Sequence, residues 1–408
     1  MRIAQIAPLF ESVPPKLYGG TERVVSYLTE ELVRLGHEVT LFASGDSQTS
    51  ARLVLASERS LRLDPGCVDQ LAHQIRQLER VFKDPEEFDV MHFHIDYVHY
   101  PLSRRYRLAR LTTLHGRLDI PDLAAVYREF PHEPVVSISD GQRLPLPWLA
   151  WLGTVYHGLP VDLYPYQPKP GSYLAFIGRF SREKGPEEAI HIAREAGIPL
   201  KMAAKLDKAD KEYFESRVRP LIESTSLVEW IGEIDERGKR DFLGGALALL
   251  FPIDWPEPFG LVMIEAMACG TPVIAYPCGS VPEIMTDGVT GFMVEGRQAA
   301  VQAVKKIAQL DRARVRETFE QRFTAPRMAR DYIALYERQW QARRAAGPAE
   351  RRRASLVARM ASSPPIGGLV RPVRERRAPG VDRRQAAVER REAAVESAEP
   401  ALEGATER

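Results

Sequence analysis

The strongest constraint on this chain is a rhythm: short apolar runs of strand length alternate with amphipathic stretches of helical period, and the rhythm stops once and restarts. IAQIA, from Ile3, reads as a strand. TERVVSYLTEELVRLG follows as a helix, with Val24, Val25, Leu28, Leu32 and Leu35 near helical spacing and Gly36 placed to end it. HEVTLFAS is a second strand, and right-handed crossover makes the two strands parallel. FDVMHFH (88–94), LTTLHG (111–116), VVSIS (135–139) and TVYHG (154–158) continue the series as buried strands. From Leu159 to Ser172 the text becomes LPVDLYPYQPKPGS, with four prolines and no periodicity, which predicts an interdomain linker or hinge. Alternation resumes with YLAFIGRF, the helix EEAIHIAREAG and PLKMAAKL, then LVEWIG, ALALLFPI, the helix LVMIEAMACG and TPVIAYP. Such a chain predicts two similar Rossmann-like α/β domains facing a cleft, each presenting its strand ends to a ligand.

Composition narrows the class. At 408 residues there is room for two domains with sizeable cores. The three cysteines, Cys67, Cys269 and Cys278, form no C-x-x-C pair, which excludes a disulfide framework and a cysteine-rich zinc site and suits a reducing cytosol. MRIAQIAPLFES reads as a first strand rather than a signal peptide, and no apolar run approaches the ~20 residues that span a bilayer. The expectation is a soluble, cytoplasmic protein. The net charge of +1 conceals an asymmetry: from Ala342 onward 15 arginines face 9 acidic residues, which leaves the preceding residues mildly acidic. An acidic body argues against a nucleic-acid partner. After Trp340 there is no aromatic residue, His, Lys or Cys. The segment 342–408 therefore reads as a disordered Arg/Ala/Glu-rich tail, at best transiently helical over 385–398. A solvated tail is the simpler reading; weak contact with the inner face of an anionic membrane is the alternative.

The chemistry concentrates in PEPFGLVMIEAMACGTPVIA, residues 256–275. Pro256 and Pro258 hold Glu257 in a loop, the helix begins around Gly260, and Glu265 then lies about 7.5 Å along it at 1.5 Å per residue. One carboxylate can meet hydroxyls at the helix mouth and the other can meet hydroxyls farther along. The N–H groups of Phe259, Gly260 and Leu261 can face an anion. An elongated, polyhydroxylated phosphate ester suits that arrangement. Arg179 and Lys184, in IGRFSREKG, follow a strand end, where phosphates collect in α/β folds. In LYGGTERVV two glycines, Gly19 and Gly20, precede a helix start, which raises the question of whether a phosphorylated ligand approaches the backbone there.

The Glu-x7-Glu run EPFGLVMIE with AMACGTPVIA resembles the signature of glycosyltransferase family 4, the retaining, nucleotide-sugar-dependent enzymes of the GT-B fold. YGGTERVV, LGHEVTLFA, FDVMHFH, TLHG, HGLPVD, IGRFSREKG and DGVTGFMV match in the same order over most of residues 1–341, and the tail lies outside the resemblance. The resemblance implies that Glu257 holds donor-sugar hydroxyls and Glu265 the ribose. It implies that Arg179 and Lys184 bind the diphosphate, that Gly19 and Gly20 close over that diphosphate from across the cleft, and that His115 lies beside the reacting sugar carbon. Gly279 and Ser280 approach the donor on the same reading, while Glu283 caps or packs. His157 reads as a linker-turn residue, His92 and His94 as a strand pair, and Lys205 as ambiguous.

The expected architecture is an N-terminal acceptor domain over 1–162, a hinge at 163–171, a nucleotide-sugar domain over 172–325, and a helix at 326–341 that crosses back to the first domain. No D-x-D triplet occurs, so the metal-bridged route lacks its ligands, and neither a metal nor another cofactor is expected. The implied partners are a nucleotide-diphosphate sugar and an unidentified hydroxyl acceptor. The rivals are another GT-B enzyme such as an epimerase or phosphorylase, and a non-catalytic nucleotide-sugar-binding scaffold. A dehydrogenase ranks last, because no G-x-G-x-x-G follows the first strand.

Overall fold

The structure, a computed structural model, describes residues 1–17 and 19–345. β1 (Arg2–Ile6), β2 (Glu38–Ser44), β3 (Arg52–Ser57), β4 (Val90–Phe93), β5 (Arg110–Thr113), β6 (Val135–Ser137) and β7 (Trp151–Thr154) form a first sheet, in the order β3-β2-β1-β4-β5-β6-β7. β8 (Tyr173–Arg179), β9 (Leu200–Lys205), β10 (Val228–Gly232), β11 (Ala246–Phe251), β12 (Val273–Ala275) and β13 (Gly291–Met293) form a second, in the order β10-β9-β8-β11-β12-β13. Neighbouring strands run parallel in both; Ile3 of β1, for example, stands opposite Val39 of β2 and Val90 of β4. Parallel strands must be covered on both faces, and the composition obliges: all four residues of β4 are buried, and so is β2 beyond Glu38. The strand order reverses beside β1 in one sheet and beside β8 in the other. The crevice outside the carboxyl ends of such strands is where open α/β sheets receive ligands.

Helix Gly20–Arg34 covers the first sheet with Val24, Val25, Leu28 and Leu32, all nearly inaccessible. Leu35, which the periodicity places in the same stripe, is exposed instead, because it caps the helix and Gly36 at φ +84° turns the chain away from the helical phase. The final described helix, Ala325–Ala345, continues past Gln341 and packs on the first sheet. Met328, Ala329, Tyr332, Leu335 and Tyr336 sit among Ile3, Val24, Leu28, Val90, Leu111 and Val136. The predicted disordered segment and transient helix fall outside the described residues, apart from the end of this helix. No described helix is long and apolar enough to cross a membrane.

Two local readings change. The last strand of the first sheet is Trp151–Thr154 and not 154–158; Val155 N still donates to Ser137 O (2.9 Å) and its side chain joins the first-domain core, while His157 is buried against His115 and Phe259 of the cleft. The proline-rich passage is also less free than its composition suggests. Leu159 N donates to Phe323 O (2.9 Å) and Ala325 N donates to Leu159 O (2.8 Å), so the two crossings between the domains are hydrogen-bonded to each other. A Cβ on Gly158 would sit 2.2 Å from Thr324 O, so only glycine lets these segments pass so close. Tyr164 is inaccessible, and Gln167 N donates to Cys269 O. Prolines remove periodicity and some donors, yet the amides between them still find acceptors.

Candidate active site

A cavity of about 440 Å³ opens between the loops that follow β1 and β5 in the first domain and the carboxyl end of β8 in the second. It is lined from the first domain by Gly19, Gly20 and His115, and from the second by Arg179, Lys184, Glu257, Phe259, Gly260, Leu261 and Glu265. The fold thus gathers Gly19, Gly20, His115, Arg179, Lys184, Glu257, Phe259, Gly260, Leu261 and Glu265 on one cavity, from segments up to more than 200 residues apart. Gly279 and Ser280 are not in the lining. Ser280 N donates to Glu257 O (2.9 Å) and Ser280 Oγ to Phe259 O (2.8 Å), so they brace the Glu257 loop from behind. Glu283 does cap, and across the domains: its carboxylate accepts from Asp140 N (2.7 Å) and Gly141 N (2.6 Å).

The second-domain wall is a set of paired charges. Arg179, at the end of β8, donates to Glu183 (2.8 Å) and also meets Asp210 (3.2 Å) and Asp207 (3.7 Å). Lys184 donates to the Glu257 carboxylate and lies 4.5 Å above the centre of the Trp255 ring. Glu265, 4 % exposed on helix Leu261–Ala268, accepts from Lys239 Nζ at 2.5 Å. Lys239 also meets Glu236 (3.3 Å), and Glu236 receives a hydrogen bond from Arg23 of the first domain. Arg23 Nη2 donates to Leu17 O (2.7 Å), beside the glycine loop. Alternating charges therefore run from the loop before Gly19, across the cleft, to Glu265. Charges this far from water are stable only as such pairs.

The glycine question has a local answer. A Cβ on Gly19 would come within 2.8 Å of Pro15 Cβ, so the loop itself requires glycine there. One on Gly20 would only touch Leu261 Cδ1 at 3.5 Å, an ordinary contact with the opposite wall. Gly260 stands at φ +77°, a left-handed turn that lets the chain enter helix Leu261–Ala268, and a Cβ there would strike Met263 Cε at 2.7 Å. Phe259 is 2 % exposed, and its ring centre lies 4.7 Å from that of His157.

The first-domain wall carries no such pairs at its centre. His115 sits two residues beyond the end of β5, its Nε2 2.9 Å from His94 Nδ1 and its ring parallel to that of His157 at 5.4 Å. Burial pushes its pKa down to about 3 and lowers those of His94 and His157 as well, so these rings are neutral at physiological pH. Burial likewise raises Glu22, on the first turn of helix Gly20–Arg34, to about 7. Among the lining side chains six are basic (Arg23, Arg62, Arg179, Lys184, Lys205, Lys239) and four acidic (Glu22, Glu233, Glu257, Glu265), a balance that favours an anion. Among the described residues no group of three or more His, Cys, Asp or Glu side chains is placed to hold a metal ion.

Two family models match the chain: "Glycosyltransferase Family 4" over residues 18–160 and "Glycosyl transferases group 1" over 167–322. The chain thus carries a glycosyltransferase family 4 domain followed by a glycosyl transferases group 1 domain. The alpha-maltose-1-phosphate synthase of Mycolicibacterium smegmatis is 24% identical to it, over 80% of this chain and 92% of its own length. The phosphatidyl-myo-inositol mannosyltransferase of Mycobacterium leprae is 25% identical over 78% and 90%. The crystal structure of AviGT4, a glycosyltransferase involved in avilamycin A biosynthesis, superposes with a TM-score of 0.66 at 24% identity, covering 83% of this chain and 98% of that one. Anabaena Alr3699/HepE in complex with UDP-glucose does so with 0.63 at 17% identity, covering 82% and 98%. The fold is GT-B, and the protein is a glycosyltransferase.

Within that family frame the sequence reading missed part of the lining. His157, read as a turn residue, is buried in the cleft against His115 and Phe259. Lys205 lines the cavity and pairs with Asp207 at 2.9 Å. Arg23 stood inside the quoted YGGTERVV, but a charge in the first turn of a helix reads as solvated. Lys239 carried no signal at all, because its partner Glu265 lies 26 residues away on another helix.

Proposed function

We propose that this glycosyltransferase moves a sugar, with retention of anomeric configuration, from a nucleoside-diphosphate sugar to a hydroxyl acceptor, without a metal. The observation that carries the reading is the convergence of Arg179, Lys184, Glu257, Glu265 and the Gly19–Gly20 loop on one cavity. The names of solved neighbours that bind UDP and UDP-glucose support the donor class.

On this reading the diphosphate displaces the carboxylates that occupy the cations of the second wall. Lys184 turns from Glu257 to phosphate, and Glu257 is released to accept hydrogen bonds from sugar hydroxyls. Glu265 accepts from the ribose, held in place by Lys239. The N–H groups at Gly260 and Leu261 and the cations stabilise the charge that grows on the leaving phosphate as the sugar C1–O bond breaks. The acceptor oxygen bonds to C1 on the same face, and its proton passes to the departing β-phosphate oxygen. His115 positions the donor sugar; a ring that stays neutral down to about pH 3 is no general acid at neutral pH.

The test is thermal shift of the full chain with UDP, GDP, ADP and TDP, with and without EDTA. The expected result is a rise with one diphosphate that survives EDTA, which names the base. A rise abolished by EDTA overturns the metal-free reading, and no rise with any of the four overturns the donor reading.

A further inference from the structure

Behind His115 the first domain holds a chain of hydrogen bonds that no donor needs to touch. His115 Nε2 meets His94 Nδ1 at 2.9 Å, and His94 Nε2 meets Gln5 Oε1 at 2.8 Å. Gln5 Nε2 donates to Tyr336 Oη at 3.0 Å, and Tyr336 Oη meets His92 Nδ1 at 2.8 Å. His92 Nε2 meets Thr113 Oγ1 at 2.7 Å, and Thr113 Oγ1 meets Tyr332 Oη at 2.9 Å. Behind His115 the linking residues His94, Gln5, Tyr336, His92, Thr113 and Tyr332 are all at least 97% buried, so water does not compete for these bonds.

Each link dictates the next. The Gln5 carbonyl oxygen can only accept, so His94 Nε2 carries a hydrogen. Burial keeps His94 neutral, so its Nδ1 holds a lone pair and must accept. His115 Nε2 therefore donates, and His115 Nδ1 is left without a proton. That atom is buried with no partner among the described residues. A stranded lone pair there is cheaper than a stranded N–H. In the other direction the Gln5 amide commits the Tyr336 hydroxyl to donate to His92 Nδ1, and so on to Tyr332.

We infer that Gln5, His94 and Tyr336 are positioning residues that lock His115 in its Nε2–H tautomer and so tie the final helix to the donor cleft. The role of His115 toward the sugar rests on the function proposed above; the tautomer does not. Tyr336 lies on helix Ala325–Ala345 and donates its hydroxyl away from the cleft, so it acts on the reaction only through the chain. Tyr336→Phe keeps the ring in the core and removes the acceptor of the Gln5 amide. Gln5 is then free to rotate, offer its N–H to His94, and reverse both imidazoles, which places the His115 hydrogen on Nδ1.

The experiment is ¹⁵N NMR of the full chain labelled at histidine, with His115 assigned by loss of its signal in His115→Gln. The wild type is expected to show His115 neutral with Nε2 protonated, and Tyr336→Phe to show a shift toward the Nδ1–H form. A wild-type His115 protonated on Nδ1, or on both nitrogens at neutral pH, overturns the proposal whether or not any variant folds. The kinetic arm follows diphosphate release from UDP-glucose and its GDP, ADP and TDP counterparts with water as acceptor. Tyr336→Phe is expected to lower kcat about tenfold with KM for the donor unchanged. A shifted tautomer with unchanged kcat overturns the positioning role. A wild type that releases none of the four counts against the donor reading, while the tautomer decides the lock by itself.

Discussion

The two walls of the cleft solve the same problem, polar groups kept away from water, by opposite means. On the second domain Arg179 is held by Glu183, Lys184 by Glu257 and Lys239 by Glu265, with Arg23 and Glu236 extending the series across the cleft. On the first domain His92, His94, His115 and His157 give up their charge, and His92, His94 and His115 share hydrogen bonds. The difference teaches how a ligand would be felt. An anion entering the charged wall must exchange partners, because each cation already has a carboxylate. The neutral wall offers nothing to exchange; it holds a shape.

Removing one partner of the charged wall should have the largest effect. Glu257→Ala takes away the carboxylate proposed to face the sugar and at the same time frees Lys184. Transfer should fall by at least about a hundredfold, the scale of losing a group that acts in the transition state. Thermal protection by the nucleoside diphosphate should be kept or increased. Full activity would remove Glu257 from the mechanism, and loss of diphosphate protection would mean that Lys184 needs its carboxylate to stay in place.

The neutral wall should show itself in acid. A histidine whose folded pKa lies below its unfolded value binds a proton on unfolding, so stability is full above about pH 6.5 and falls as pH drops. His92, His94, His99, His115 and His157 all shift in this direction through burial, His115 to about 3. Glu183 of the charged wall lies below its ordinary value and so contributes to acid loss only at lower pH. The urea midpoint is therefore expected to fall steeply between pH 6.5 and 5. A flat profile there would break the contrast between the walls.

The smallest effect sharpens it at the border. Glu22 lines the cleft with no ion pair among the described residues, and burial raises its pKa from 4.5 to about 7. A raised carboxylate contributes stability that is full below pH 4.5 and is lost as pH rises through 7. Glu22→Gln should remove this component, so that its urea midpoint gains on the wild type between pH 5 and pH 8. Parallel profiles would show that Glu22 is charged in the folded protein after all.

Much of this molecule was legible because its information is local. Period and turn residues located β1, helix Gly20–Arg34 and β2, and the Glu-x7-Glu run located the loop and helix start that present Glu257 and Glu265. The reading failed where burial and regular structure part company. Val155 and His157 are as buried as strand residues without belonging to a strand, and Leu35 keeps helical spacing one residue beyond the helix. The proline-rich crossing looked loose because its partner, Thr324 and its neighbours, lies far along the chain.

By itself, then, the sequence determined the two α/β domains and the identity of the loops that meet in the cleft, since strand and helix periodicity and turn chemistry act over a few residues. It also carried enough of the motif order to name the family whose model matches residues 18–160. Only the tertiary structure decided which charge answers which, that Arg23 reaches Glu236, and that five buried histidines are neutral. Coulomb attraction and desolvation depend on distance and on the exclusion of water, and both arise only once segments hundreds of residues apart have closed on each other.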